Sequence, residues 1–296
     1  MSALDRIAIR WQAGVPMYHF GNEDISSWAA RIDTVIGRTP YPVVQRVVVV
    51  ESTDSTQNAA IRFAQGRSGL LVVASLQKNG RGSLGRRWHD GERSTMPCTF
   101  VVDPGCKDAP MLAACVACAV HEAVNAFLPR AIQLGIKWPN DLVIRDETVD
   151  RKIAGILIEQ QQGLTLVGIG VNCTQTQRDW SQEYADRAVS FLGLGVSVSR
   201  LDLICRIVES MSQWFHACDR EAIRSYYELH NAMAGSRRVF RHNNRLYEGI
   251  VEHIDPLDSI ELSTDEGLCT LPIAQTQHVR RLSNDESSGS ELRADA

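Results

Sequence analysis

The sequence has 296 residues, with 31 Lys+Arg against 35 Asp+Glu and a formal charge of −4. Its 44% apolar and 22% charged residues are ordinary for a folded globular chain and exclude extensive disorder. The near balance of charge excludes nucleic-acid binding through bulk basicity, so any anion site must be local. No apolar run approaches the ~20 residues that span a bilayer, and Met1–Arg6 lacks the basic-then-apolar pattern of a secretory signal. Eight cysteines in so long a chain do not make a disulfide scaffold. Cys98, Cys115, Cys118, Cys173 and Cys205 sit among apolar residues, as reduced thiols of a cytoplasmic protein do.

In chain order, residues 1–44 carry no clear periodicity. Trp11, Phe20 and Trp28 are scattered among polar residues, Ile25 to Ile36 reads as one short helix, and Pro40-Tyr41-Pro42 breaks the chain. The segment is too short and irregular for a helix-turn-helix domain. Arg46 to Val50 reads as a buried strand, and Asp54-Ser55-Thr56 supplies N-cap chemistry for a helix carrying Ala59, Ala60, Phe63 and Ala64. Strands follow at Leu70 to Leu76 and Met96 to Val102, separated by a polar, glycine-rich stretch from Gln77 to Ser94. Met111 to Leu128 is a strongly apolar helix. Ile132 to Trp138, Leu142 to Ile144, Ile153 to Glu159 and Leu164 to Val171 read as strands, and Leu201 to Leu229 as a long helix or helix pair. Beyond Ala234-Gly235 come short strands at Arg238–Phe240, Tyr247–His253, Ser259–Leu262 and Cys269–Ile273, the signature of a small all-β barrel. Ser283 to Ala296 is polar and tail-like. Because several strands follow one another directly, a mixed α+β sheet fits better than a doubly wound parallel one.

Four segments carry chemistry. Gln77-Lys78-Asn79-Gly80-Arg81-Gly82-Ser83-Leu84-Gly85-Arg86-Arg87-Trp88 contains Gly-x-Gly-x-x-Gly after a strand. It opens no apolar helix, so it is not a dinucleotide fingerprint. Its glycines let backbone approach a ligand, and its arginines suit a carboxylate or polyphosphate; the alternative is a solvated basic loop. In Lys137-Trp138-Pro139-Asn140-Asp141, Pro139 interrupts the ladder and presents Asn140 and Asp141 at a break between strands. An Asn–Asp pair beside a lysine suits Mg²⁺ and phosphate oxygens, and equally suits a hairpin turn. Lys152 lies at the mouth of a buried strand, where its charge either snorkels or is aimed into a site. Gly168 and Gly170 in a strand interior mark close approach of a ligand or of another backbone. Cys115, Cys118 and His121 have metal-ligand spacing but lie in an apolar helix and read as packing, as do His216 and Cys218. Arg237, Arg238, Arg241 and His242 form a basic cluster that reads as a solvated face, with a partner domain or phosphate groups as alternative contacts.

The ordered set Gly-Arg-Gly-x-x-Gly-Arg-x-Trp, Lys-Trp-Pro-Asn-Asp, Arg-Lys-Ile-Ala-Gly-Ile-Leu-Ile-Glu and Gly-x-Gly-x-Asn, preceded by Asp54-Ser55-Thr56, resembles the biotin protein ligase family over about residues 46 to 283. The resemblance implies an α+β catalytic domain like that of class II aminoacyl-tRNA synthetases over residues 45–233. It also implies an SH3-like barrel over 234–283, with an unassigned extension at 1–44 and a polar tail at 284–296. It implies a two-step reaction. Biotin's carboxylate attacks the α-phosphate of ATP, giving biotinyl-5′-AMP and pyrophosphate, and a lysine of a biotin carrier domain then takes the acyl group and releases AMP. Cations and Mg²⁺ neutralise the charge that develops as an anion meets a polyanion. A closing glycine loop protects the mixed anhydride.

By the same resemblance, Ser55, Thr56 and Gln77 match positions that bond biotin's ureido group. Gly80 and Arg81 match the loop over the carboxylate and adenylate, and Lys152 matches the lysine on the carboxylate and acyl-phosphate oxygens. Gly155, Gly168 and Gly170 line the biotin pocket. Arg86, Trp88, Lys137, Asn140 and Asn172 match the ATP side, with Trp88 near the adenine, and Asp141 and Asn172 are the implied Mg²⁺ positions. Lys152, Arg81 and Asp141 carry the chemistry, Asp141 by orienting or deprotonating the carrier lysine. Two departures stand out. Ser83 replaces the family's second loop arginine, which predicts either compensation by Arg86 or Arg87 or faster escape of the adenylate. Glu92 to Cys98 lacks the family's Gly-Asn-Leu. The implied protein is cytoplasmic, has no tightly bound prosthetic group, and binds neither DNA nor membrane. Monomer and homodimer both remain open. The competing readings are a lipoate or octanoate ligase of the same fold and a non-catalytic biotin-binding regulator.

Overall fold

The computed structural model describes residues 24–88, 91, 93–105, 107–145, 149–280 and 293–295; Trp11 and Phe20 lie outside them. The main body is a seven-stranded sheet built from β1 (Arg46–Thr53), β2 (Leu70–Gln77), β5 (Thr95–Val102), β6 (Leu134–Lys137), β7 (Asp141–Ile144), β8 (Arg151–Gln161) and β9 (Leu164–Asn172). In space the order is β1-β2-β5-β9-β8-β7-β6. Helix α2 (Thr56–Ala64) joins β1 to a parallel β2; the other pairs in this sheet are antiparallel. The sheet is therefore mixed, as the run of consecutive strands requires.

Alternation along the strands sorts residues between two faces. Leu71, Val73, Phe100, Ile156, Val167 and Ile169 join a large core under α3 (Ala109–Asn125), α4 (Arg200–Ala217) and α5 (Arg220–Leu229). Full burial of each such side chain stabilises by about 1.5–3 kcal/mol. Helix α1 (Trp28–Arg38) joins this core through Trp28, Ile32 and Ile36, one face at a spacing of four. The helix read at Ile25–Ile36 is thus present, preceded by a 3₁₀ turn at Ile25–Ser27. On the other face, Leu70, Val72, Val101, Leu164 and Leu166 form a smaller cluster with Ala59, Ala60 and Ala64 of α2. That short helix leaves the rest of the face open for a site.

The helix limits follow from their caps. Ser55 caps α2, Asp108 caps α3, Ser199 caps α4 and Asp219 caps α5, each accepting backbone N–H bonds. Pro97 stands inside central β5, yet β2 pairs with β5 only as far as Cys98, so no ladder donor is lost. The splayed ends are joined by buried Arg200, whose Nη1 donates to Ser75 O and Thr95 O at 3.0 and 3.2 Å.

The C-terminal region is a six-stranded antiparallel sheet of β10 (Arg237–His242), β11 (Arg245–Ile254), β12 (Ser259–Thr264), β13 (Gly267–Pro272), β14 (Thr276–Arg280) and β15 (Arg293–Asp295). Its order is β13-β12-β11-β10-β14-β15. The end strands β13 and β15 are not paired with each other, so the expected barrel is, among the described residues, an open sheet. β14 was not read from the sequence, and β15 falls in the stretch read as a tail. Trp138 and Phe240, with ring centroids 6.2 Å apart, join this sheet to the main core. No helix among the described residues is long and apolar enough to cross a membrane.

Candidate active site

The open face is paved by glycine. Gly155 of β8 lies directly across from Gly170 of β9, and Leu157 from Gly168. Pro97 and Thr99 of β5 continue the same two rows. A Cβ added to Gly170 would stand 2.5 Å from Cε2 of Trp88, and one on Gly155 would stand 2.8 Å from Cε of Lys152 and 3.1 Å from Trp88. A Cβ on Gly168 would meet Nε2 of Gln57 at 2.6 Å. These glycines therefore admit an indole, an amide and a lysine stem directly onto the sheet.

Lys152 reaches this face through a bulge. Leu142 pairs with Ala154 but Val143 pairs with Lys152, leaving Ile153 as the extra residue. Strict alternation from Gly155 would turn Lys152 into the core. Instead Ile153 is buried there and Lys152 is re-aimed at the pocket. Its Nζ lies 2.5 Å from Asp141 Oδ1 and 5.6 Å from the centroid of a Trp88 ring. Asp141 comes from the break that follows the cis Trp138–Pro139 peptide and pairs directly with Gly155.

The remaining walls come from α2 and the glycine-rich loop. Thr56 donates from N and Oγ1 to Gln77 Oε1 at 2.8 and 3.1 Å, and Thr99 Oγ1 donates to Thr56 Oγ1 at 2.9 Å. Ser55 holds the helix start. The loop forms a small hairpin in which β3 (Gly80–Arg81) pairs with β4 (Arg87–Trp88). A Cβ on Gly80 would stand 2.5 Å from both Gln77 Nε2 and Trp88 O, so the hairpin closes only around glycine. Arg81 Nη2 donates to Glu159 Oε2 at 2.9 Å and to Gln57 Oε1 at 3.1 Å.

Two cavities meet here. A narrow one of about 40 Å³ is lined by Ser55, Thr56, Gln57, Gln77, Arg81, Trp88, Asn140, Lys152, Gly155, Gly168 and Gly170. Trp88 lying across its floor explains its small volume. A larger one of about 640 Å³ is lined by Arg86, Arg87, Lys137, Asp141, Asn172, Asp150, Tyr184, Arg187, Arg237, Arg238 and His278. Gly82, Ser83, Trp88 and Lys152 border both. Arg81 Nε, Trp88 Nε1 and Asn140 Oδ1 are buried without a protein partner at the narrow cavity, and Arg187 Nη1 at the large one. Buried polar atoms are nearly always paired, so this concentration marks a place for a polar ligand.

The sequence-predicted residues thus gather at one place, with three qualifications. Asn140 lies at the narrow cavity, not the large one, and donates to Ile156 O at 2.9 Å. Asn172 is buried: its amide donates to Lys152 O and Val189 O while its oxygen accepts from Gln175. That carboxamide braces the strand carrying Lys152 and has little left for a metal. Trp88 lies on the glycine floor of the narrow cavity and itself borders both cavities. Arg237 and Arg238, read as a solvated face, line the large cavity, although Arg238 is also paired with Asp150 at 2.6 Å. Sequence reasoning missed Gln57, Glu159 and Arg187. Glu159 was within reach, because 155, 157 and 159 share one face.

The Cys115/Cys118/His121 spacing belongs to packing. Leu134 O can only accept, so His121 Nε2 carries the proton and Nδ1 accepts from Tyr226 Oη at 2.9 Å. Burial, with His230 beside it, lowers its pKa to about 4. No cluster of three potential metal ligands occurs among the described residues.

The signature of the Biotin/lipoate A/B protein ligase family matches residues 47–175. The chain is also 30% identical, over 241 residues, to the biotin–[acetyl-CoA-carboxylase] ligase of Paracoccus denitrificans, a match covering 75% of this chain and 96% of that protein. The chain belongs to this family. It is 29% identical to the biotin–[acetyl-CoA-carboxylase] ligase of Mycobacterium tuberculosis, over 77% of this chain and 85% of that one. It is likewise 29% identical to the bifunctional ligase/repressor BirA of Bacillus spizizenii, over 76% and 71%. In fold it resembles the biotin protein ligase of Aquifex aeolicus in complex with biotin and ATP, at 22% identity and a TM-score of 0.68, covering 79% of this chain and 98% of that one. In this family member the matched segment spans β1 to β9 and so contains the glycine floor, the hairpin, Asp141 and Lys152.

Proposed function

We propose that the protein is a biotin protein ligase, which activates biotin with Mg-ATP and transfers it to a lysine of a biotin carrier domain. The observation that carries this reading is the shared border of the two cavities. Lys152 stands where a carboxylate held in the narrow pocket meets a phosphate held in the large one. Thr56 and Gln77 offer the ureido end of biotin donors and acceptors, and the glycine floor takes its rings once the Trp88 indole moves aside. Lys152 and Arg81 neutralise the carboxylate and the α-phosphate as the acyl–phosphate bond forms and pyrophosphate leaves. Arg86, Lys137, Arg187 and Arg237 face the polyphosphate. Asp141, at the border of Lys152 and the large cavity, is the carboxylate that would hold the magnesium of the nucleotide. In the second half-reaction it orients the incoming carrier lysine, which attacks as the neutral amine.

Thermal shift tests the substrate. Biotin with Mg-ATP should raise Tm by several degrees through preferential binding to the folded state, whereas lipoate should leave it unchanged. Stabilisation by lipoate alone would move the assignment to the lipoate branch of the family.

A further inference from the structure

The loop arginine expected at the acyl carboxylate is not held by its own loop. Arg81 projects from a hairpin of two-residue strands, and its guanidinium is fastened from outside. Nη2 bonds Glu159 on β8 and Gln57 on α2 together. Glu159 is itself held by Gln161, whose Nε2 donates to the same Oε2 at 3.2 Å. Gln57 is 3% exposed, and its Nε2 donates to Leu157 O at 2.9 Å. The missing side chain of Gly168 is what makes room for that amide. A chain of bonds therefore runs from the sheet through Glu159, Arg81 and Gln57 back to the sheet, and it leaves Arg81 Nε as a buried unpaired donor at the pocket.

An exposed ion pair would deserve little weight. This one is different because both acceptors are fixed to the rigid sheet and one is buried. A long side chain anchored in this way has its rotamer chosen before any ligand arrives.

We infer that Glu159 and Gln57 are positioning residues, which hold Arg81 over the glycine floor so that its guanidinium meets the carboxylate of the acyl substrate without reorganising. Neither touches the reacting atoms. The role rests on the ligase reading and deepens it.

The test uses the full chain with Glu159→Ala, Glu159→Gln, Gln57→Ala, Arg81→Ala and the Glu159→Ala/Arg81→Ala double variant. Two readouts are taken: biotin-dependent pyrophosphate exchange, and the rate of tryptic cleavage after Arg81, Arg86 and Arg87 without ligands. Glu159→Ala should raise the KM for biotin on the order of 10- to 100-fold, the scale of losing one hydrogen bond to a charged group. Its kcat should fall as well, because Arg81 also neutralises the charge that develops at the α-phosphate, and hairpin cleavage should quicken. Glu159→Gln, which keeps an acceptor, should recover part of the KM loss. The double variant should be no worse than Arg81→Ala, because the residues act as a unit. A wild-type KM in both Glu159→Ala and Gln57→Ala would overturn the assignment, whatever the cleavage rate does. Losses that multiply in the double variant would overturn it as well. A wild-type enzyme without biotin-dependent exchange would instead overturn the ligase reading, and this role with it.

Discussion

Gly170→Ala is the sharpest single perturbation of the pocket. The new Cβ would stand 2.5, 2.7 and 3.0 Å from Cε2, Cζ2 and Nε1 of Trp88. Carbon atoms rest at about 3.5–4.0 Å, so the indole must retreat by about 1 Å or leave the floor. Overpacking of this kind costs about 1–3 kcal/mol. Here Trp88 can relieve it by swinging on a surface hairpin, so little of the cost should appear in stability. The methyl still occupies the floor that biotin's rings need. The same 1–3 kcal/mol should therefore appear in binding, as roughly a 5- to 150-fold rise in biotin Kd by calorimetry. Gly135→Ala is the control. Its Cβ would lie 2.8 Å from Ala232 Cβ and 3.2 Å from Ala232 Cα, atoms that cannot rotate away. It should lower Tm by several degrees and leave biotin Kd within about twofold. Wild-type biotin affinity in Gly170→Ala, or a Tm loss matching that of Gly135→Ala, would refute the reasoning.

Lys152→Met should lower pyrophosphate exchange by about 10²- to 10³-fold, the usual loss for a group that stabilises transition-state charge, with a nearly native Tm; an active variant would remove Lys152 from the chemistry. Asp141→Asn should slow carrier biotinylation, and unchanged transfer would remove Asp141 from orienting the carrier lysine. His121 has a pKa of about 4 in the fold against an ordinary 6.5, because burial disfavours its charged form. Its contribution is present above pH 6.5 and is lost as pH falls from 6.5 towards 4, reaching about 3 kcal/mol. His121→Gln should flatten the fall of Tm over that window, and an unchanged slope would contradict the assignment. Ser83→Arg should reduce biotin labelling of bystander lysines by the purified enzyme if the adenylate escapes; no labelling above background by the wild type would mean that Arg86 or Arg87 compensates.

The sheet was legible because apolar residues alternate or run together along it, α2 because Ser55 caps it, and α3 because it is apolar along its length. The break between α4 and α5 was blurred because Cys218, at a φ of +45°, holds the left-handed position that glycine usually takes. β14 was missed because its buried residues include Thr276 and His278, polar side chains that carry no hydrophobic period. At the site, glycines and cations stood out by residue type. The bulge at Ile153 did not, since nothing in Lys152-Ile153-Ala154 announces an extra residue. Gln57 and Glu159 were passed over because their importance lies in one tertiary contact with Arg81, and no local pattern encodes it.

The most direct test of the ligase assignment is pyrophosphate release from Mg-ATP by the full chain, with biotin or lipoate, before and after a biotin carrier domain is added. Biotin should give release that becomes continuous turnover when the carrier is present. Release with lipoate alone, or no release with either acid, would contradict the assignment.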